Sequence, residues 1–187
     1  MNVGIQRLTA GDGGYPPRLV KRLGPEASPH LSLLGNRELL ALPKTALFCS
    51  ARCPGSAILT TYDQAARWRD ERRCIISGFH SPVEKECLRI LLRGASPIII
   101  CPARAIESMR IPAEYRAAFD AGLVLFLSPF TRQPSRATKE SAIRRNEVVA
   151  ALSNEAYIAH IAPGGKTGEI VRMLNKWKVP ILGIPGT

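Results

Sequence analysis

No hydrophobic stretch of this sequence approaches the ~18–20 residues that a bilayer-spanning helix needs. The opening residues, MNVGIQRLTAGDGGYPP, also lack the apolar core of a secretory leader. No internal repeat or low-complexity tract stands out. Histidine is scarce: His30, His80 and His160 are the only three. That leaves no readable Ser-His-Asp or Cys-His arrangement, and catalytic residues are not expected. The five cysteines, Cys49, Cys53, Cys74, Cys87 and Cys101, are an odd number. Three of them, Cys49, Cys74 and Cys101, lie in or beside apolar runs, which suits reduced, buried thiols of a cytoplasmic protein better than a disulfide framework. Cys49-x3-Cys53 has no second cysteine pair or nearby histidine, so zinc is not expected. No membrane association, metal or cofactor is anticipated.

Acidic residues are in deficit. Fifteen Asp and Glu against 26 Lys and Arg give a net charge of +11. A surplus of that size concentrates polyanions at the surface, and nucleic acid is the commonest such partner. The 187 residues suffice for one substantial domain, and 45% hydrophobic with 22% charged residues is ordinary for a folded chain.

Residues 1–45 are rich in Gly, Pro and Leu, with turn signals at Gly11–Gly14, Tyr15-Pro16-Pro17 and Gly24-Pro25. They are expected to form an N-terminal extension packed on a main domain of residues 46–187, with short helices at Pro17–Leu23 and Asn36–Leu42. From residue 46 short apolar runs recur at Ala46–Ser50, Cys74–Ser77, Pro97–Cys101, Leu123–Leu127, Ala156–Ile161 and Pro180–Ile184. They are continuous rather than alternating, as in strands covered on both faces. Helical spacing fills the gaps: Ser56–Arg69, Val83–Leu92, Pro112–Ala121, Lys139–Leu152 and Glu169–Trp177. The alternation predicts an α/β protein with a doubly wound, mainly parallel sheet of about six strands and helices on both faces.

In such a sheet ligands bind beyond the carboxyl ends of the strands. Three crossovers there carry small, hydroxyl-bearing or glycine residues: Ser50–Ser56, Ser77–Pro82 and Ala162–Glu169. Glycines let backbone N–H groups approach an anion, hydroxyls donate to phosphate oxygens, and helix N-termini add partial positive charge. The candidate phosphate or nucleotide contacts are Ser50, Arg52, Ser77, Gly78, Gly164, Gly165, Lys166 and Thr167. Glycine turns also serve as helix caps and tight connections, so each alone is weak. Gly164-Gly165-Lys166-Thr167 lacks Walker A spacing and does not match the dinucleotide fingerprint. The fourth crossover, Ser128–Thr138, is polar and basic, contains Phe130, and runs into Lys139, Arg144 and Arg145. It is either a phosphate-and-base contact surface or a solvated loop. His80 is a candidate acid/base or a bland loop residue, and Glu169 a ribose or water contact or a first-turn carboxylate.

These residues resemble the DprA/Smf DNA-processing family over nearly the whole chain. The resemblance rests on Tyr15-Pro16-Pro17-Arg18-Leu19, Leu33-Leu34-Gly35-Asn36, Cys49-Ser50-Ala51-Arg52, Ile75-Ile76-Ser77-Gly78, Arg145-Asn146, Gly164-Gly165-Lys166-Thr167 and Ile184-Pro185-Gly186. It implies a Rossmann-like domain that binds single-stranded DNA and loads a RecA-type recombinase in recombination or transformation, as a homodimer. The contacts so implied are Arg52, Lys139, Arg144, Arg145, Asn146 and Lys166. The sequence departs from the family at Pro82-Val83-Glu84, Leu88, Ala142 and Glu147, and the family's frequent C-terminal winged-helix domain is not represented. Pro163-Gly164-Gly165 is similar to the loop of the related lysine-decarboxylase-like nucleotide hydrolases. That likeness implies two alternatives: a nucleotide-binding sensor, or an N-glycosidase using Glu169 or Glu84.

Overall fold

The computed structural model describes residues 4–183. Its backbone forms one eight-stranded sheet in the order β1-β2-β6-β5-β4-β3-β7-β8. The strands are β1 Gln6–Thr9, β2 His30–Gly35, β3 Lys44–Cys49, β4 Cys74–Ser77, β5 Ile98–Ile100, β6 Val124–Ser128, β7 Glu155–His160 and β8 Ile181–Leu182. From β6 to β8 every neighbour is parallel, whereas β1–β2 and β2–β6 are antiparallel. The six expected strands are the parallel ones, and Cys74–Ser77 has the expected bounds. The count rises to eight because β1 and β2 come from the residues read as an extension. The last expected run and the Ile184-Pro185-Gly186 motif extend beyond the described residues.

The central strands lack alternation because both faces are covered. Ala46, Phe48, Ile76, Ile99 and Leu125 face one core, closed by Leu19 of α1 (Pro17–Leu23), Val148–Leu152 of α5 (Lys139–Leu152) and Ile170 and Leu174 of α6 (Thr167–Lys176). Leu47, Ile75, Ile98, Ile100, Val124 and Phe126 face the other core. That one is closed by Ala65 and Trp68 of α2 (Gly55–Asp70), by Val83, Cys87, Leu88 and Leu91 of α3 (Pro82–Leu92), and by Phe119 of α4 (Arg116–Asp120). Successive strand residues thus enter opposite cores, the period-2 rule applied to a two-sided sheet. Four of the five thiols are buried, and all five are free. Burial pushes the Cys74 thiol up to about 11 and those of Cys87 and Cys101 to about 12, so they remain protonated at neutral pH.

Helix α5 is fixed at both ends. At its start the Thr138 hydroxyl accepts the Ser141 N–H at 3.1 Å, and the Ser141 hydroxyl accepts the Thr138 N–H at 2.8 Å. At its end Arg22 Nη1 donates to the carbonyls of Ala150 (3.3 Å), Ala151 (2.9 Å) and Ser153 (2.6 Å). A cation among the last carbonyls of a helix satisfies orphan acceptors and complements the dipole. The guanidinium lies 5.9 Å from the centre of the Trp177 ring, bracing α5 against the end of α6. Among the described residues, no helix is long and apolar enough to cross a membrane.

Replacing Arg22 with Ala frees the carbonyls of Ala151 and Ser153, while that of Ala150 keeps the Ser153 hydroxyl at 2.8 Å. We expect a loss of about 2 kcal/mol, read as a drop of roughly 4–8 °C in the thermal midpoint by circular dichroism. An unchanged midpoint would show that α5 is held by its apolar face alone.

Candidate functional site

β3 and β7 lie side by side, but the chain leaves them toward opposite faces. The connection from β3 leads into α2, and the connection from β7 leads into α6 on the other core. That divergence opens a crevice at the carboxyl ends, where doubly wound sheets bind ligands. A cavity of about 480 Å³ occupies it. Its walls are Cys49–Arg52, then His80, Ser81 and Glu84, then Ala162–Thr167, with Ala142, Arg145 and Asn146 of α5 closing the side.

Ser50 holds two of these walls together. Its hydroxyl lies 2.9 Å from the Thr167 hydroxyl and accepts the Ala162 N–H at 3.0 Å, while its own N–H donates to the His160 carbonyl at 3.2 Å. Gly164 adopts φ +69°, and the turn closes with the Gly165 N–H donating to the Ala162 carbonyl at 2.9 Å. The turn delivers the first residues of α6 to the cavity. Among the described residues, the N–H groups of Lys166 and Thr167 have no intramolecular acceptor. Two free donors at the positive end of a helix are what an anion requires.

The loop after β4 departs from expectation. The Ser77 hydroxyl donates to the Leu47 carbonyl at 2.8 Å and accepts the Phe79 N–H at 3.2 Å, so it is consumed inside the fold. Gly78 is covered by the guanidinium of Arg145. A Cβ there would stand 1.5 Å from Arg145 Nη1 and 2.0 Å from Cζ. Neither Ser77 nor Gly78 lines the cavity; His80, Ser81 and Glu84 do so from the same loop.

Glu84, a buried carboxylate, fastens that loop to β3. One oxygen accepts the Cys49 N–H at 3.0 Å, and the other accepts the N–H groups of His80 (2.8 Å) and Ser81 (3.2 Å). The Ser81 hydroxyl accepts the Glu84 N–H at 3.2 Å, completing a capping box at the start of α3. Its spacing, Ser81-x-x-Glu84, is legible in the sequence, but the reach to Cys49 is not.

Arg145 is only 4% exposed and forms part of the cavity wall rather than a surface contact. Its Nη1 donates to the Cys101 carbonyl at 3.0 Å and its Nε to Asn146 Oδ1 at 2.7 Å. Burial weakens its hold on the proton, while the negative charge of Glu84 strengthens it. Arg144, one residue earlier, belongs to another surface, where it pairs with Glu147 at 2.9 Å and its charge acts on Tyr15. The expected single positive face of Arg52, Lys139, Arg144, Arg145 and Lys166 is therefore narrower. Adjacent helix residues are turned by about 100°, which separates 144 from 145.

Arg52 is exposed at the cavity mouth, and among the described residues it has no ion-pair or hydrogen-bond partner. Lys166 is exposed and pairs with Glu169 at 2.8 Å. That contact, reinforced by Arg172 and Lys139, holds the Glu169 carboxyl below its ordinary range. Lys139 thus lies within electrostatic reach of the same loop. The Ser128–Thr138 loop docks instead on the segment after β5, where the Ala105 N–H donates to the Pro134 carbonyl at 2.8 Å. Phe130 is half-buried there and does not line the cavity. Among the described residues, no group of three or more His, Cys, Asp or Glu side chains could hold a metal ion.

These features define a doubly wound α/β protein with a polar crevice at the strand-order reversal, floored by a helix N-terminus. The chain belongs to the DNA recombination-mediator protein A family, whose model matches residues 6–171. Its fold is that of DNA processing protein A from Streptococcus pneumoniae (TM-score 0.78, 19% identity), covering 98% of this chain and 64% of that one. DNA processing protein A from Helicobacter pylori is equally similar (TM-score 0.78, 19% identity), with 100% and 83% coverage. The latter structure concerns that protein's single-stranded DNA binding mode. This chain therefore spans slightly under two thirds of the streptococcal structure. Curated proteins give no match to this sequence.

The Gly78–Arg145 contact makes a coupled prediction. Gly78→Ala must push the guanidinium off the Cys101 carbonyl, which should cost about 1–3 kcal/mol in urea unfolding. In an Arg145→Ala background the same change should cost almost nothing, because the obstacle is gone. Additive losses would mean that the two residues do not share that space.

Proposed function

We propose that the crevice binds single-stranded DNA by seating a backbone phosphate on the α6 N-terminus. The observation that carries this reading is the convergence in one cavity of the Lys166 and Thr167 N–H groups with the guanidinium of Arg52, none of which has a partner among the described residues. A phosphate there receives backbone donors and a forked cation, charge-assisted hydrogen bonds that offset its desolvation. Lys139 and Lys166 extend the positive rim. Phosphate contacts of this kind position a strand without reading its bases, so sequence preference is weak. Family membership supports the same reading, as does the similarity to the Helicobacter pylori protein, whose structure concerns single-stranded DNA binding. The reading extends to a cytoplasmic protein that works as a homodimer and loads a RecA-type recombinase, as the family resemblance implies.

Nothing favours turnover of a nucleotide. Both Glu84 oxygens accept backbone N–H groups, and Glu169 is paired with Lys166. A glycosidase needs a carboxylate free to meet the reacting carbon or water. Incubation with AMP should therefore release no adenine by chromatography, and release abolished by Glu169→Gln would replace the DNA reading with hydrolysis.

Binding is tested by fluorescence anisotropy with an oligothymidine across a salt series. Three exposed cations, Arg52, Lys139 and Lys166, predict a slope of log affinity on log salt of about −2, from ~0.7 per contact in single strands. Arg52→Ala should weaken binding roughly tenfold and flatten the slope by about 0.7. A salt-independent signal, or affinity unchanged in Arg52→Ala, would overturn the proposal.

A further inference from the structure

A second concavity of about 310 Å³ runs between α5 and α6, beside the crevice. Asn146 and Lys166 line both, so the two adjoin. Their characters differ. The crevice offers N–H donors, whereas the second groove is floored by Ile143, Ile170 and Met173, with Ile143 and Met173 half-exposed. Its rim carries Arg172 and Lys176, which are exposed and, among the described residues, have no ion-pair partner. The acids along it are already engaged: Glu147 with Arg144, and Glu169 with Lys166.

An apolar slot with unbalanced cations on its edge, lying beside a phosphate seat, matches the repeating chemistry of a nucleic-acid strand. The geometry points to this groove as the seat of a nucleobase, the one attached to the nucleotide whose phosphate occupies the crevice. The assignment rests on the proposed DNA binding and adds a base site to it. The base lies on the Ile143 and Met173 side chains, and the thioether of Met173 meets the ring at van der Waals distance, a favourable contact for a polarizable sulfur. Asn146, at the junction, offers an amide to the base edge, although its Oδ1 already accepts from Arg145. Arg172 and Lys176 flank the slot at its solvent edge. The slot offers an apolar surface that Phe130 of the basic loop does not supply, since that ring is half-buried away from the crevice. Since the contact is apolar, every base fits, and purines gain most from their larger ring face.

The test pairs a double variant, Ile143→Ala with Met173→Ala, with two kinds of strand. The variant leaves charge unchanged, and its fold is verified by circular dichroism and thermal melting. One strand is an ordinary oligonucleotide with a single 2-aminopurine; the other is a deoxyribose-phosphate strand of the same length without bases. We expect 2-aminopurine emission to change when wild type binds and to lose that change in the variant. The variant should bind the ordinary strand about five- to tenfold more weakly. The abasic strand should bind both proteins within about twofold, because its phosphate contacts are untouched. Equal loss on both strands, no loss on either, or emission identical in free and bound states would overturn the base site. If Arg52→Ala still weakens binding in those cases, the phosphate seat stands without the base site. If no strand binds wild type, both fall together.

Discussion

The carboxylate of Glu84 is the contact on which the architecture of the crevice depends. A buried anion is costly unless its lone pairs are filled, and here three backbone N–H groups, one from a strand end and two from a loop, fill them. Because one donor belongs to Cys49 at the end of β3 and two to the β4–α3 loop, the carboxylate sets the spacing between adjacent strand ends. Arg145, from a third element, α5, lies within electrostatic reach of that carboxylate and occupies the space over residue 78, which has no side chain. Its own hydrogen bonds go to the Cys101 carbonyl and to Asn146, so it ties α5 to the strand ends from the other side. The crevice wall is therefore held by buried polar contacts that link three elements.

That arrangement changes the meaning of the +11 net charge. Several of the cations are not available to a partner. Arg145 is spent on Cys101 and Asn146, and Arg22 on the last carbonyls of α5. Lys44 is buried, with its ammonium donating to the carbonyls of Leu40 (2.7 Å) and Leu42 (2.6 Å). Surface electrostatics near the crevice come from a short list: Arg52, Lys139, Lys166, Arg172 and Lys176. Composition identified the sign of the field but overstated its breadth.

Most of the fold was legible because its signals are local. Continuous apolar runs mark strands covered on both faces, and α5 runs from Lys139 to Leu152 as its spacing predicts, with Thr138 as its cap. β1 and β2 were not read as strands. β1 buries only Leu8, and β2 sits among glycine and proline turns, although Leu31, Leu33 and Leu34 form an apolar run there. The pairing of β2 with β6, on which β1 then builds, is long-range and leaves no local trace. At the site, topology alone was enough to bring the Ser50 and Gly164–Thr167 loops to one place. It could not reveal that Arg145 covers Gly78, that Ser77 bonds inward, or that neighbouring arginines 144 and 145 face different surroundings. Those facts depend on which side chain fills a given space, and a one-dimensional pattern does not carry them.

The pairing of β2 with β6 has a consequence for where this chain can be cut. β6, VLFLS, is buried along its whole length, and its outer hydrogen bonds run to Ser32–Gly35. A fragment beginning at residue 44 would retain every parallel strand, yet present β6 as a bare rim of apolar backbone. Such a rim recruits strands from other molecules, since nothing charged, bulged or proline-bearing protects it. The opening segment is in this sense a built-in guard against self-association, and a trimmed version would tend toward insolubility even with its binding crevice whole.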